Sequence, residues 1–397
     1  MKENVIQYVY SQGIHTFAEK TLCDVDFLVF AQFVYIKFDG YIGGIDCPEQ
    51  KMTLRKLAKI ANRDELFSDE RYRKDNERLF DAMAASRRYG GMVLSNYMNV
   101  VDTDIETQFS ALTLRLNAKA SVVVFRGTDE NLIGWKEDFH LFFWDKVPGQ
   151  AMALGYFRGV AEKVSGRLYL AGHSKGGNLA VYAAMGVDEE IRDRIEKVYS
   201  FDGPGFRPEV LERMDYEGIR SKVRKFIPQS SLVGMLFENR KDYQVIESSG
   251  VGVGQHNPYT WKIHEGKMIR LNEIMPGSKY MDEKLNEWIS SLSLEEAEFF
   301  TETIFSIAYA SDSETLLDFS GAWMEKANQM INAYKQLQPE KKEQMQKIVK
   351  ELFRIANPID GKKGKILEQT KKPIENLTQQ TGTKVKQLKK KYHSDKT

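Results

Sequence analysis

The stretch YLAGHSKGGNLAVYAAM, residues 169–185, decides how the rest of the chain is read. Apolar residues run into Gly172, His173, Ser174, Lys175 and Gly176, and an alanine-rich, helix-forming segment follows. A structural turn has no need of a serine at so abrupt a corner. A serine whose hydroxyl must stand clear of a sheet does need one, and G-x-S-x-G between a strand and a helix is the pattern that supplies it. Gly172 and Gly176 allow strand and helix to approach without a Cβ collision. The helix start adds free amides and a positive dipole end, where an oxyanion can be stabilised. The competing reading, a phosphate-binding loop, wants Lys-Ser/Thr after the last glycine, and GHSKGGN has none.

Working outward, the flanks alternate between strand-like and helix-like runs. QFSALTLRLNAKASVVVF, residues 108–125, reads as a hairpin joined by NAKA that feeds a buried strand, SVVVF. Helix-like segments follow near LIGWKEDFHLFFW (132–144) and ALGYFRGVAEKVSG (153–166), before the strand RLYLAG (167–172). KVYSFDG (197–203) and SKVRKFIP (221–228) continue the alternation, and YTWKIHEGKMIRL (259–271) reads as a hairpin turning at Glu265-Gly266. Short strands alternating with helices predict an α/β chain with a mainly parallel central sheet. Four parts are expected: an N-terminal helical segment packed on the core (1–88), the α/β core (89–280), C-terminal helices (281–356) and a charged tail (357–397).

Composition narrows the function classes. Of 397 residues, 57 are Lys or Arg and 56 are Asp or Glu, so overall charge suggests no polyanionic partner. No aromatic platform accompanies the basic end KVKQLKKKYHSDKT, so nucleic acid is not expected as a partner. A solvated terminus is the expected state of Lys384, Lys386, Lys389, Lys390 and Lys391, with peripheral contact to an anionic membrane as the competing reading. The start MKENVIQYVYSQGIHTF lacks the basic-then-apolar pattern of a signal peptide, and the apolar run FLVFAQFVYI (27–36) is too short to span a bilayer. Only Cys23 and Cys47 are present, which fits a reducing cytoplasm rather than a disulfide framework. No cysteine–histidine cluster resembles a zinc site, so neither metal nor organic cofactor is expected.

Upstream of the elbow stands SVVVFRGTDENLIGWKEDF (121–139). With Phe125-Arg126-Gly127-Thr128, then Trp135 and Asp138, then Gly172 to Gly177, the chain resembles the class 3 lipases of the α/β-hydrolase superfamily, and among them the bacterial lipase-like branch. The resemblance covers roughly residues 90–265 and implies the α/β-hydrolase fold. It implies an oxyanion hole built from the loop at Thr128 and the backbone N–H of Lys175, the residue after the nucleophile. It also implies a serine esterase or lipase acting on a small-molecule or lipid ester through an acyl-enzyme.

In that fold the triad order is Ser, Asp/Glu, His. His15 and His140 precede Ser174, His173 adjoins it, and His393 lies in the tail, which leaves His256 and His264. His264 sits beside a hairpin turn. His256 lies in the glycine-rich loop SSGVGVGQH, which can carry an imidazole over the sheet, and is the preferred base. The family's usual acid position falls on Gln229, Ser230 and Ser231, where there is no carboxylate. Asp202, at the end of SFDG, is the preferred substitute and Asp242 the runner-up. A Ser–His dyad and an inactive scaffold used for binding are the alternatives.

Overall fold

The computed structural model describes residues 3–68, 72–129, 131–238, 242–309 and 336–356. Its strands are β1 (Met52–Thr53), β2 (Val93–Asp102), β3 (Thr107–Asn117), β4 (Ala120–Phe125), β5 (Arg167–His173), β6 (Ile195–Phe201), β7 (Val223–Pro228), β8 (Tyr243–Ile246), β9 (Ile263–His264), β10 (Lys267–Met268) and β11 (Arg270–Leu271). Nine of them form one sheet in the order β1-β2-β3-β4-β5-β6-β7-β8-β11. From β4 to β8 every pairing is parallel, whereas β1 to β4 and the β8–β11 pair are antiparallel. The sheet is therefore mixed, with the parallel centre that the alternation predicts and antiparallel strands at its margins. The reason lies in the connections: β3 passes to β4 through a turn at Asn117–Ala120, and so tight a link can only reverse the chain. β9 and β10 form a separate hairpin that turns at Glu265-Gly266, both at positive φ.

Helices α1 (Val5–Gln12), α2 (Asp24–Phe33) and α3 (Arg73–Ala85) precede the long strands. α4 (Leu132–His140) and α5 (Pro148–Lys163) lie between β4 and β5, and α6 (Lys175–Met185) follows β5 directly. The two faces of the sheet show the period-two alternation of strands. Val122 and Val124 of β4 join Phe27, Phe30 and Trp261 in one cluster, while Val123 and Phe125 join Phe157, Val160 and Leu179 in another. The apolar run at 27–36 is thus spent on α2 and the turn after it, buried against the sheet.

α7 (Pro276–Ser291), α8 (Leu294–Tyr309) and α9 (Pro339–Ala356) complete the described chain. Their Trp288, Phe300 and Ile348 pack with Phe143 and Leu236 in a third cluster. The apolar segment SSLVGMLFENR is used partly here, through Leu236 and Phe237, and partly with Ile227 and Val245 through Met235. Among the described residues no helix is long and apolar enough to cross a membrane. The tail from 357, with its lysines and His393, lies outside the described residues.

Candidate active site

Ser174 stands between β5 and α6 with φ 58° and ψ −132°, a conformation that costs an L-residue steric energy. The corner can be this sharp only because two neighbours lack a Cβ. A Cβ at Gly172 would lie 2.1 Å from the Gly176 oxygen, and one at Gly176 would lie 2.2 Å from the Phe125 oxygen. The backbone is held from below as well, with Ser174 N donating to Phe201 O at 2.9 Å. Ser174 is half-buried.

β6 runs parallel to β5 and ends one residue before Asp202, which also takes positive φ, 51°. Its carboxylate is 1% exposed. Asp202 Oδ2 is 2.6 Å from His256 Nδ1, and Oδ1 accepts from Ser231 Oγ at 2.5 Å. Ser231 occupies the segment where the resemblance led one to look for an acid. It carries a hydroxyl that donates to the Asp202 carboxylate at the neighbouring strand end instead. Asp242 pairs with Arg220 at 2.7 Å on the surface, and His264 is half exposed at its hairpin turn. The imidazole of His256 lies against His173, with ring centroids 4.5 Å apart.

The loop after β4 closes on the elbow from the other side. A Cβ at Gly127 would meet Ser174 Cβ at 3.1 Å, so the residue before Thr128 touches the serine. Thr128 Oγ1 donates to Asp138 Oδ2 at 2.6 Å. Lys175 is the first residue of α6, so its amide has no acceptor within the helix. Its side chain turns inward, 1% exposed, to donate to Glu137 Oε2 at 2.7 Å and Gln108 O at 2.9 Å.

Burial alone would raise Glu137, but the Lys175 ammonium and hydrogen bonds from Thr107 and the Gln108 amide hold it below its usual range. Asp138 is pushed up to about 6 by burial, against the pull of Lys175 and Thr128. Asp138 stands in the sequence as part of the Trp135–Asp138 match, but its contact with Thr128 and the pairing of Glu137 with Lys175 leave no trace there.

Glu106, His140 and Glu302 bring ligand-type atoms within 4.8 Å of one another away from the elbow. Lys136 Nζ contacts both carboxylates, at 2.5 and 2.7 Å, and so stands where a cation would sit. Burial holds His140 below its ordinary value. These groups are ordinary surface-to-core pairing between α4, α8 and the β2–β3 turn.

A strained serine between strand and helix, at the strand end next to the one that carries the Asp202–His256 pair, defines an α/β protein with a polar cluster at its elbow. The chain belongs to the Mbeg1-like family, a lipase-like family whose model matches residues 83–306, more than half of its length. No curated protein aligns significantly with it. Among solved structures, Rhizomucor miehei lipase in its propeptide complex is 18% identical, with 38% of this chain and 56% of that chain covered and a TM-score of 0.29. M37 lipase is 11% identical over 53% of this chain and 68% of that one, with a TM-score of 0.32. A fungal lipase–inhibitor complex, described as a model for interfacial activation, is 14% identical over 50% and 80%, with a TM-score of 0.28. The chain thus spans little more than half the length of the Rhizomucor lipase it matches.

Proposed function

We propose that this protein is a serine hydrolase of the lipase or esterase type, with the α/β-hydrolase fold, that cleaves a carboxylic ester through an acyl-enzyme. The observation that carries the reading is the 2.6 Å contact between His256 Nδ1 and Asp202 Oδ2, at the strand end that adjoins a serine held at φ 58°. A carboxylate on Nδ1 fixes the tautomer whose Nε2 is basic, and it stabilises the imidazolium that forms when Nε2 takes a proton. A triad is therefore favoured over a dyad, with Asp202 as acid in place of Asp242.

The cycle follows from these roles. His256 Nε2 takes the Ser174 proton as Oγ attacks the ester carbonyl, and the amides of Thr128 and Lys175 receive the oxyanion. The alcohol leaves with the proton from His256, and water then releases the acid by the reverse path. Each amide of that kind is worth about 3 kcal/mol in the transition state. Asp138 accepts the Thr128 hydroxyl and so fixes the loop that presents one of them. The chemistry asks for no metal or organic cofactor.

The substrate class is a small-molecule or lipid ester, with no nucleic-acid partner, and the class 3 affinity of the FRGT and GHSKGG motifs belongs to the same proposal. A cytoplasmic setting suits Cys23 and Cys47, which are both free thiols. Peripheral membrane contact through the basic tail is a secondary element, tested by vesicle sedimentation.

The main test uses p-nitrophenyl esters of increasing acyl length and a fluorophosphonate label on wild type and Ser174→Ala. Wild type is expected to turn over and take the label. The variant should lose both, with kcat down by about 10⁴-fold or more. A wild type inert to every ester and to the label would end the hydrolase reading.

A further inference from the structure

Tyr35 lies just past α2, far from the elbow in sequence, yet it is buried against it. Its Oη is 3.0 Å from His173 Nδ1. A Cβ added at Gly127, next to Thr128, would come within 2.3 Å of that same oxygen. At the opposite end of the ring, His173 Nε2 is 2.8 Å from the backbone oxygen of His256. A carbonyl can only accept, so Nε2 carries hydrogen and donates. In a neutral ring Nδ1 then holds a lone pair, which takes the hydrogen of the Tyr35 hydroxyl.

A relay of two hydrogen bonds therefore ties the N-terminal helical segment to the loop that carries the base. That loop is also held at Gln255, whose side chain accepts from Ser230 N and whose carbonyl accepts from Trp261 Nε1, and the relay adds a tie at His256 itself. Gly250, Gly252 and Gly254 precede His256, the last two within the short turn Gly252–His256, and glycine backbones hold their position poorly without external contacts. The tautomer matters too. The two imidazoles are 4.5 Å apart with an interplanar angle of 36°, and a neutral His173 offers no like charge to an imidazolium at His256.

Resting on the hydrolase reading, we infer that Tyr35 and His173 are positioning residues of the active site. Through the His256 carbonyl they fix where the base stands relative to Ser174, and through Gly127 the Tyr35 hydroxyl meets the oxyanion loop.

The test is steady-state kinetics of the full chain on the same ester panel, with circular-dichroism melts to compare folding. His173→Leu is expected to lower kcat about 100-fold while KM stays within about 2-fold, since a small displacement of a catalytic group acts on the transition state more than on binding. His173→Gln, whose amide keeps a donor toward the His256 carbonyl, should recover most of the loss. Tyr35→Phe removes one hydroxyl and should cost about 10-fold in kcat. Full wild-type kcat in a folded Tyr35→Phe and a folded His173→Leu would overturn the inference while leaving the hydrolase standing. If His173→Leu does not fold, Tyr35→Phe decides alone. An inert wild type overturns the hydrolase reading itself, and this inference with it, before any variant is made.

Discussion

Asp26 and Asp202 are both buried carboxylates, and they are treated in opposite ways. Asp26 accepts from Tyr8, Tyr89, the Cys23 amide and both Nε and Nη2 of Arg88. Arg88 spends its remaining donors on the carbonyls of Thr16, Lys20 and Thr21. The partners in that knot do not titrate at ordinary pH: arginine is always protonated, and burial raises both Tyr8 and Tyr89 far beyond their usual range. Asp202 faces one serine hydroxyl and one imidazole, and the imidazole can gain and lose a proton. A buried carboxylate surrounded by fixed partners is a staple, while one beside a titratable partner can take part in chemistry. The first joins α2 to the segment after α3; the second sits at the elbow.

That contrast can be broken experimentally. Asp202→Asn should lower kcat by about 10⁴-fold, because the amide no longer enforces the required imidazole tautomer, while the melting curve barely moves. Asp242→Asn, measured alongside, should retain wild-type turnover; the reverse pattern would move the acid to Asp242. Asp26→Asn should do the opposite. Leaving Arg88 buried without its counter-charge should cost about 3–5 kcal/mol in urea unfolding, with kcat per folded molecule unchanged.

Asp138 sharpens the comparison with the smallest effect. Its folded value, near 6, lies above that of an unfolded aspartate, so the native state holds the proton more tightly. Its contribution is therefore fully present below about pH 4 and is lost as pH rises through about 6, by about 3 kcal/mol at most. Asp138→Asn should flatten stability across that window, read from urea midpoints at several pH values. An unchanged slope would show that this carboxyl does not titrate there.

How much of this was legible depends on distance along the chain. Ser174 stands in a local pattern that any reader meets as one phrase, and His256 follows from chain order once the elbow is read. Asp202 was visible because it terminates a strand beside that of the serine. The parallel strands around the elbow were legible from the alternation, and the reversals at 117–120 and 265–266 from their hairpin patterns, but the outermost pairings of the sheet were not. β1 and β11 are two residues each and leave no periodic trace. Tyr35 could not have been found, since it meets His173 across 138 positions and its sequence neighbours only announce a buried helix. Ser231 was read as a missing acid, and its contact with Asp202 exists only once β6 and β7 are aligned. The inward turn of Lys175 was equally hidden, because a lysine after the nucleophile looks solvent-facing until Glu137 of α4 meets it.

The short margins of the sheet have a consequence for the molecule in crowded surroundings. At one side only Met52 and Thr53 pair with β2, whose ladder to β3 is interrupted between Ser95 and Met98, with Tyr97 N taken by Gly43 O. At the other side the sheet stops with Arg270 and Leu271. Among the described residues the outermost strands at both borders are two residues long and the first is followed by an interrupted ladder, so each outermost strand is a short template for pairing with another chain.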